Sequence, residues 1–298
     1  MTRVRRWVID RAYDSPRQAL RSFSAVDVPA ITDGRVFVNG RRVRGDGLRL
    51  EPGDVLEVTA PRAGRPEPVR IISERDGIVA VDKPAGISTE PDRRGRRGCL
   101  LDMAAPMIGV SRCRLRAASR LDLGVSGVVL LTVTREARQQ VARWREAGRL
   151  RRRYVALVGG RPVAQEGQWD SSVAGRPQHP ACTRYAFVAE AHARHGGAVS
   201  MMALEPITGR FHQLRVHCAG AGIPILGDLA HGGCRRLVGQ DGAVVGLTRV
   251  ALHAAWCEIS EAPPLRWEAS IPPKLAEWWK RLGGREQAWS SAVEVSVP

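Results

Sequence analysis

Asp122 stands two residues after Arg120 in the stretch Ser119-Arg120-Leu121-Asp122-Leu123-Gly124-Val125-Ser126-Gly127-Val128-Val129-Leu130-Leu131-Thr132. The apolar run after the turn reads as a buried strand, which places a carboxylate at the lip of a core element and holds it rigidly. A carboxylate in such a position can act as nucleophile or base if it is ionised. In a partly buried site that requires a cation close by, and a fixed guanidinium serves. Asp also favours turns by bonding its own backbone, so an inert turn residue is the alternative reading.

Two later segments are equally rich in polar chemistry. Arg151-Arg152-Arg153-Tyr154-Val155-Ala156-Leu157-Val158-Gly159-Gly160 runs basic residues into a Tyr that opens a strand. Thr208-Gly209-Arg210-Phe211-His212-Gln213-Leu214-Arg215-Val216-His217 continues through Pro224-Ile225-Leu226-Gly227-Asp228. Shorter echoes are Asp82-Lys83-Pro84-Ala85-Gly86-Ile87 and Leu252-His253-Ala254. In this order, from about residue 70 to 270, the blocks resemble the RluA-type pseudouridine synthases, whose signature is His-Arg-Leu-Asp, a Ser/Thr-Gly pair and an aliphatic strand. The leading His is Ser119 here. Small-subunit-type synthases carry a shorter third block and fit less well.

The resemblance implies conversion of uridine in RNA to pseudouridine. The bond from ribose to the base nitrogen breaks and one to carbon forms, with no redox equivalent, cofactor or metal. It implies Asp122 as the catalytic carboxylate, Arg215 as its cation, and Tyr154 against the target uracil as proton acceptor. Whether Asp122 adds to the base, attacks the anomeric carbon or acts in a glycal route stays open. Because stacked RNA hides the target atom, the nucleotide must be extruded. Arg120 is the residue implied to fill the gap. Arg152 lies along the RNA channel with Arg151 and Arg153, although three consecutive strand residues cannot all face one way. His212 and Gln213 complete the substrate-binding set, shaping the helix and loop around Arg215 rather than reacting. Gly209 and Gly227 permit tight turns.

Elements must position these groups. Strands are expected at Ile78 to Val81, Gly127 to Val133, Tyr154 to Val158, Thr183 to Val188, Ala198 to Glu205 and Leu265 to Ser270. Arg135 to Glu146 has helical spacing, with Ala137, Val141 and Trp144 on one face. Arg210 to Ala221 reads as a second helix. The fold class expected is α+β: a mixed, largely antiparallel β-sheet catalytic domain flanked by helices and loops, with a small N-terminal α/β RNA-binding module.

That module covers residues 1–62. Gly34-Arg35-Val36-Phe37-Val38-Asn39-Gly40 and Glu51-Pro52-Gly53-Asp54 resemble the turns of the αL-type RNA-binding unit of a small-subunit ribosomal protein. Val8 to Phe23 is its helical part, and Arg17, Arg21, Arg35, Arg41 and Arg42 are the candidates for phosphate contacts. A Pro- and Gly-bearing linker spans 63–69, the catalytic domain 70–280, and a loose tail 281–298.

Composition fits a polyphosphate partner. The 298 residues are 44% hydrophobic, ample for a core, and carry a net charge of +16. Only Lys83, Lys274 and Lys280 are lysines among 46 basic residues, so arginine supplies the excess over 30 acids. Six cysteines without paired spacing point to free thiols in a reducing compartment, and no ligand set suggests a metal. No signal-like or bilayer-length apolar run is present, so cytoplasmic residence is the expectation, with a monomer as the default. The N-terminal module, by its family resemblance, implies rRNA more than tRNA as substrate. The rival readings are a retired synthase scaffold that binds RNA or assists ribosome assembly, motivated by Ser119, and a nonspecific polyanion binder.

Overall fold

A computed structural model describes residues 4–23, 29–32, 36–43, 47–59, 68–91, 98–172, 180–194 and 197–298. The chain divides into two compact units, Met1–Arg65 with Pro91–Cys99, and Pro66–Glu90 with Leu100–Pro298. The division between Arg65 and Pro66 falls inside the linker segment, most of which lies outside the described residues. Pro91, Gly98 and Cys99, within the span assigned by sequence to the catalytic domain, group with the first unit.

The first unit contains β1 (Val4–Val8), α1 (Pro16–Ser22), α2 (Pro29–Thr32), β2 (Val36–Val38), β3 (Arg41–Arg42) and β4 (Val55–Thr59). Its antiparallel sheet has the order β1-β4-β2-β3. The expected helix over Val8 to Phe23 is shorter. It starts where Ser15 Oγ accepts from Gln18 N at 3.2 Å and Pro16 takes the first helical position, where no backbone donor is needed. The β2–β3 turn is the expected Asn39-Gly40 pair, both at positive φ (49° and 73°). Asn39 also clasps β4, donating to Asp54 at 2.7 Å and accepting from Val55 N at 2.9 Å. Ile9, Leu20, Val36, Leu50 and Leu56 fill the core.

The second unit is built on a ten-stranded mixed sheet. Its strands are β5 (Arg70–Arg75), β6 (Ile78–Lys83), β7 (Arg116–Ala117), β8 (Ser126–Thr132), β9 (Leu150–Gly159), β10 (Glu166–Ser172), β11 (Pro180–His192), β12 (Ala198–Pro206), β15 (Leu252–Ile259) and β16 (Leu265–Glu268). The main order is β10-β11-β12-β9-β15-β8-β6-β5, with β16 on β15 and β7 on β8. Pairing is antiparallel except between β8 and β15. A small hairpin joins β13 (Arg236–Val238) to β14 (Val244–Gly246). The helices are α3 (Leu100–Ile108), α4 (Arg135–Glu146), α5 (Gln213–Gly220), α6 (Pro273–Arg281) and α7 (Ala288–Glu294).

All seven residues of β8 are buried, as its unbroken aliphatic run requires of a strand covered on both faces. Gly127 makes the parallel pairing possible. Its φ is +116° and a Cβ there would lie 2.1 Å from the Ala254 carbonyl oxygen. Helix α4 matches its expected bounds, capped by Thr134 and packing Ala137, Val141 and Trp144 against Ile78 and Ile259. The expected loose tail is different. Residues 288–294 form α7, which buries Ala288, Trp289 and Ala292 where it packs on β9, β11 and β12, and the Arg153 guanidinium donates to the Ala292 carbonyl at 3.0 Å.

Candidate active site

Asp122 lies in the turn between Leu121 and β8, and that turn is tied to the loop after β6. Thr89 Oγ1 donates to the Leu121 carbonyl at 2.9 Å and accepts from Leu121 N at 3.0 Å, while Gly86 N donates to the Leu123 carbonyl at 2.6 Å. Buried Lys83 organises the same loop, its Nζ donating to the carbonyls of Pro84 (3.0 Å) and Ile87 (2.8 Å). The carboxylate is therefore held from both flanks rather than swinging on a free loop.

Arg215 comes to it from helix α5. Its Nη1 donates to Asp122 Oδ2 at 2.9 Å. The other edge of the guanidinium makes a two-pronged bond to Asp228, Nε to Oδ2 and Nη2 to Oδ1, each at 2.6 Å. Asp228 is 1% exposed, so this fork aims the remaining Nη1 at Asp122 with little freedom. Gly227, at φ +75°, lets the chain reach Asp228, since a Cβ would sit 2.0 Å from the Arg249 carbonyl. Gly209 has no such conformation and no tight approach, contrary to expectation.

His212 is in the left-handed region (φ 56°) immediately before α5, which is why the helix begins at Gln213 and not at Arg210. Its Nε2 lies 3.6 Å from Asp122 Oδ2 and its Nδ1 shares a hydrogen bond with His231 Nε2 at 3.0 Å. Burial lowers its pKa, against the opposing pull of Asp122, so the ring is neutral near pH 7. Both Arg215 and His212 approach Oδ2, leaving Oδ1 without a partner among the described residues.

Tyr154 and Arg152, two apart on β9, face the same side. Tyr154 is buried, and burial pushes its phenol up, opposed by the Arg152 charge and reinforced by Asp122. Arg152 Nη2 donates to the carbonyls of Pro206 and Thr208, both at 3.3 Å, while its Nε is buried without a partner. Arg151 and Arg153 turn to the other face. Arg153 is 2% exposed and bonds Glu205 at 2.6 Å, and Arg151 pairs with the same carboxylate at 3.2 Å. Arg153 is thereby enclosed by protein, whereas the Arg151 side chain stays 46% exposed.

Arg120 is largely exposed, 3.8 Å from Glu90. Gln213, expected to contact substrate, has no capacity left. Its Oε1 accepts from Thr208 Oγ1 and Arg210 N, and its Nε2 donates to the Cys182 carbonyl and Thr183 Oγ1, four bonds for four sites. Ser119 Oγ accepts from Leu130 N at 3.4 Å, a strand contact rather than one to Asp122. Among the module arginines, Arg21 and Arg41 are exposed and Arg17 half-buried, Arg35 lies outside the described residues, and the Arg42 side chain is likewise not described. No group of three or more potential metal ligands converges among the described residues.

Sequence reasoning missed Asp228 and His231. Asp228 was legible only as a carboxylate closing the apolar run Pro224-Ile225-Leu226-Gly227; an acid in that setting needs a buried cation. His253 is fully buried against Ser126 Oγ at 2.8 Å and is held neutral, so the fifth block is structural.

Residues 77–220 match the family model described as RNA pseudouridylate synthase. The chain is 32% identical over 247 residues to a ribosomal large subunit pseudouridine synthase D of Nitrosomonas europaea, covering 78% of this chain and 70% of that one. It is 30% identical over 202 residues to the dual-specificity RNA pseudouridine synthase RluA of Escherichia coli, covering 64% and 86%. The fold is also that of human RNA pseudouridylate synthase domain containing 1, with a TM-score of 0.57, 22% identity, and coverage of 80% of this chain and all of that one. With this match, the ordered sequence blocks and the mixed sheet, the chain belongs to the RluA-type RNA pseudouridine synthases, isomerases that act on uridine in RNA.

Proposed function

We propose that Asp122 is the catalytic carboxylate of this synthase and that its Oδ1 is the reacting atom. The observation that carries this is the 2.9 Å bond from Arg215, itself locked by Asp228, to Oδ2 alone. Arg215 supplies the paired cation and His212 flanks the same oxygen, so the free oxygen faces the incoming nucleotide. Tyr154 lies against the uracil as a neutral phenol, and its raised pKa argues for a hydrogen-bonding and packing role before that of a phenolate base. Arg120, exposed beside the turn, enters the space left by the flipped nucleotide. Arg152, on the same face of β9 as Tyr154, completes the substrate-binding set. Gln213 acts through the loop it staples.

The substrate in this reading is ribosomal RNA in preference to transfer RNA. Support comes from the Nitrosomonas relative, whose name gives the large ribosomal subunit, while the RluA relative is described as dual-specific. Residues 1–62 serve as an RNA-binding module with Arg17, Arg21, Arg35, Arg41 and Arg42 toward phosphates. A cytoplasmic monomer completes the reading, in keeping with six free cysteines.

The test is Asp122→Asn assayed by tritium release from RNA labelled at uridine C5. Turnover falls by at least about 10²–10⁴-fold. Unchanged release would remove Asp122 from the chemistry.

A further inference from the structure

Phe211 is 68% exposed, an unusual place for a large apolar ring. One face of the ring is stacked on His212, with centroids 3.8 Å apart and planes 19° from parallel. His212 in turn lies 3.6 Å from Asp122. Two more of the exposed large apolar side chains sit at this site. Leu123 follows Asp122 and Leu229 follows Asp228, at 46% and 52% exposure. Exposed Arg210 precedes Phe211 in the chain. An exposed apolar ring beside a guanidinium presents base faces and phosphates with what each binds.

We propose that the outer face of Phe211 is a stacking platform for a base flanking the target uridine. The inference rests on the reading that the uridine enters at Asp122. A base laid on the outer face stands about 7 Å from the His212 ring, one ring spacing beyond Phe211. That is too far from Asp122 for the reacting nucleotide and right for its chain neighbour. Because every base has a π-face, the platform tolerates sequence while fixing the strand's path across the site.

The experiment first maps pseudouridines in total RNA from cells with and without this gene, then uses a fluorescein-labelled stem-loop carrying the mapped uridine. Binding is measured by anisotropy in the Asp122→Asn background, which leaves the target uridine unconverted. Adding Phe211→Ala or Phe211→Leu raises Kd about tenfold or more, and Phe211→Trp restores it to within a few-fold. An abasic nucleotide on one side of the uridine abolishes the difference between the Phe211→Ala protein and its parent. Equal Kd for Phe211→Ala and its parent, or a difference that survives abasic substitution on both sides, overturns the platform. Undiminished turnover by Asp122→Asn overturns the underlying reading instead, so the two failures are distinct.

Discussion

At the residue scale, one guanidinium joins two carboxylates of unequal burial. Asp228 is enclosed and takes two of the three bonds, and Asp122 is accessible and takes one. Such a pairing adds little net stability compared with an apolar core, but removing one partner strands a buried charge. Asp228→Ala is therefore expected to lower stability by about 3–5 kcal/mol, read by chemical denaturation. It also lowers turnover by about 10²-fold, because Arg215 loses its orientation and Asp122 its alignment. A fall in stability without loss of turnover would show that Asp228 does not position Arg215.

His253 gives a second residue-level expectation. Burial pushes its pKa down to about 3, with the Arg249 charge acting in the same direction. The unfolded chain takes up a proton there as pH falls through about 6.5, while the folded protein does not until near pH 3. Stability is consequently lost on acidification, by about 1.4 kcal/mol per pH unit from this group in that window. His212 and His217 are lowered by burial too and contribute with the same sign. Urea titrations between pH 6.5 and 5 test this, where most carboxylates are still ionised. His253→Gln flattens the slope, and an unaltered slope refutes the assignment.

At the element scale, the site depends on where strands meet. Helix α5 begins one turn later than its apolar spacing suggests because the left-handed His212 breaks the helical path and directs its ring to Asp122. The β8–β15 contact is a tight constraint. Gly127→Ala places a methyl carbon 2.1 Å from the Ala254 carbonyl and also imposes a strained φ. The cost is about 2–5 kcal/mol from strain and overpacking together. A wild-type melting temperature for this variant would mean that the parallel pairing yields easily.

At the scale of the whole molecule, charge dominates. With a net +16, RNA binding should be strongly salt-dependent, and six to ten phosphate contacts would cost about 10³–10⁵ in affinity between 50 and 200 mM salt. Arg17 and Arg21, four apart on α1 and beside its buried Pro16, Ala19 and Leu20 face, share one side of that helix. Replacing either with Ala should reduce the salt slope by about one if it contacts a phosphate. An unchanged slope would take that arginine off the RNA.

Local pattern alone revealed a great deal. The aliphatic run of β8, the 3.6-residue stripe of α4 and the Asn39-Gly40 turn were readable because each follows from side chains close in the chain. Asp122 and Arg215 were legible as a pair through the family resemblance, although 93 residues separate them. Tertiary structure alone decided the rest: that Asp228 and not solvent receives the other edge of Arg215, that Gln213 is saturated by protein groups, that Arg153 is buried under α7, and that the tail is a packed helix. Those outcomes depend on which buried polar groups find partners after the sheet has formed, and that matching is made between segments distant in sequence, where no local period carries the information.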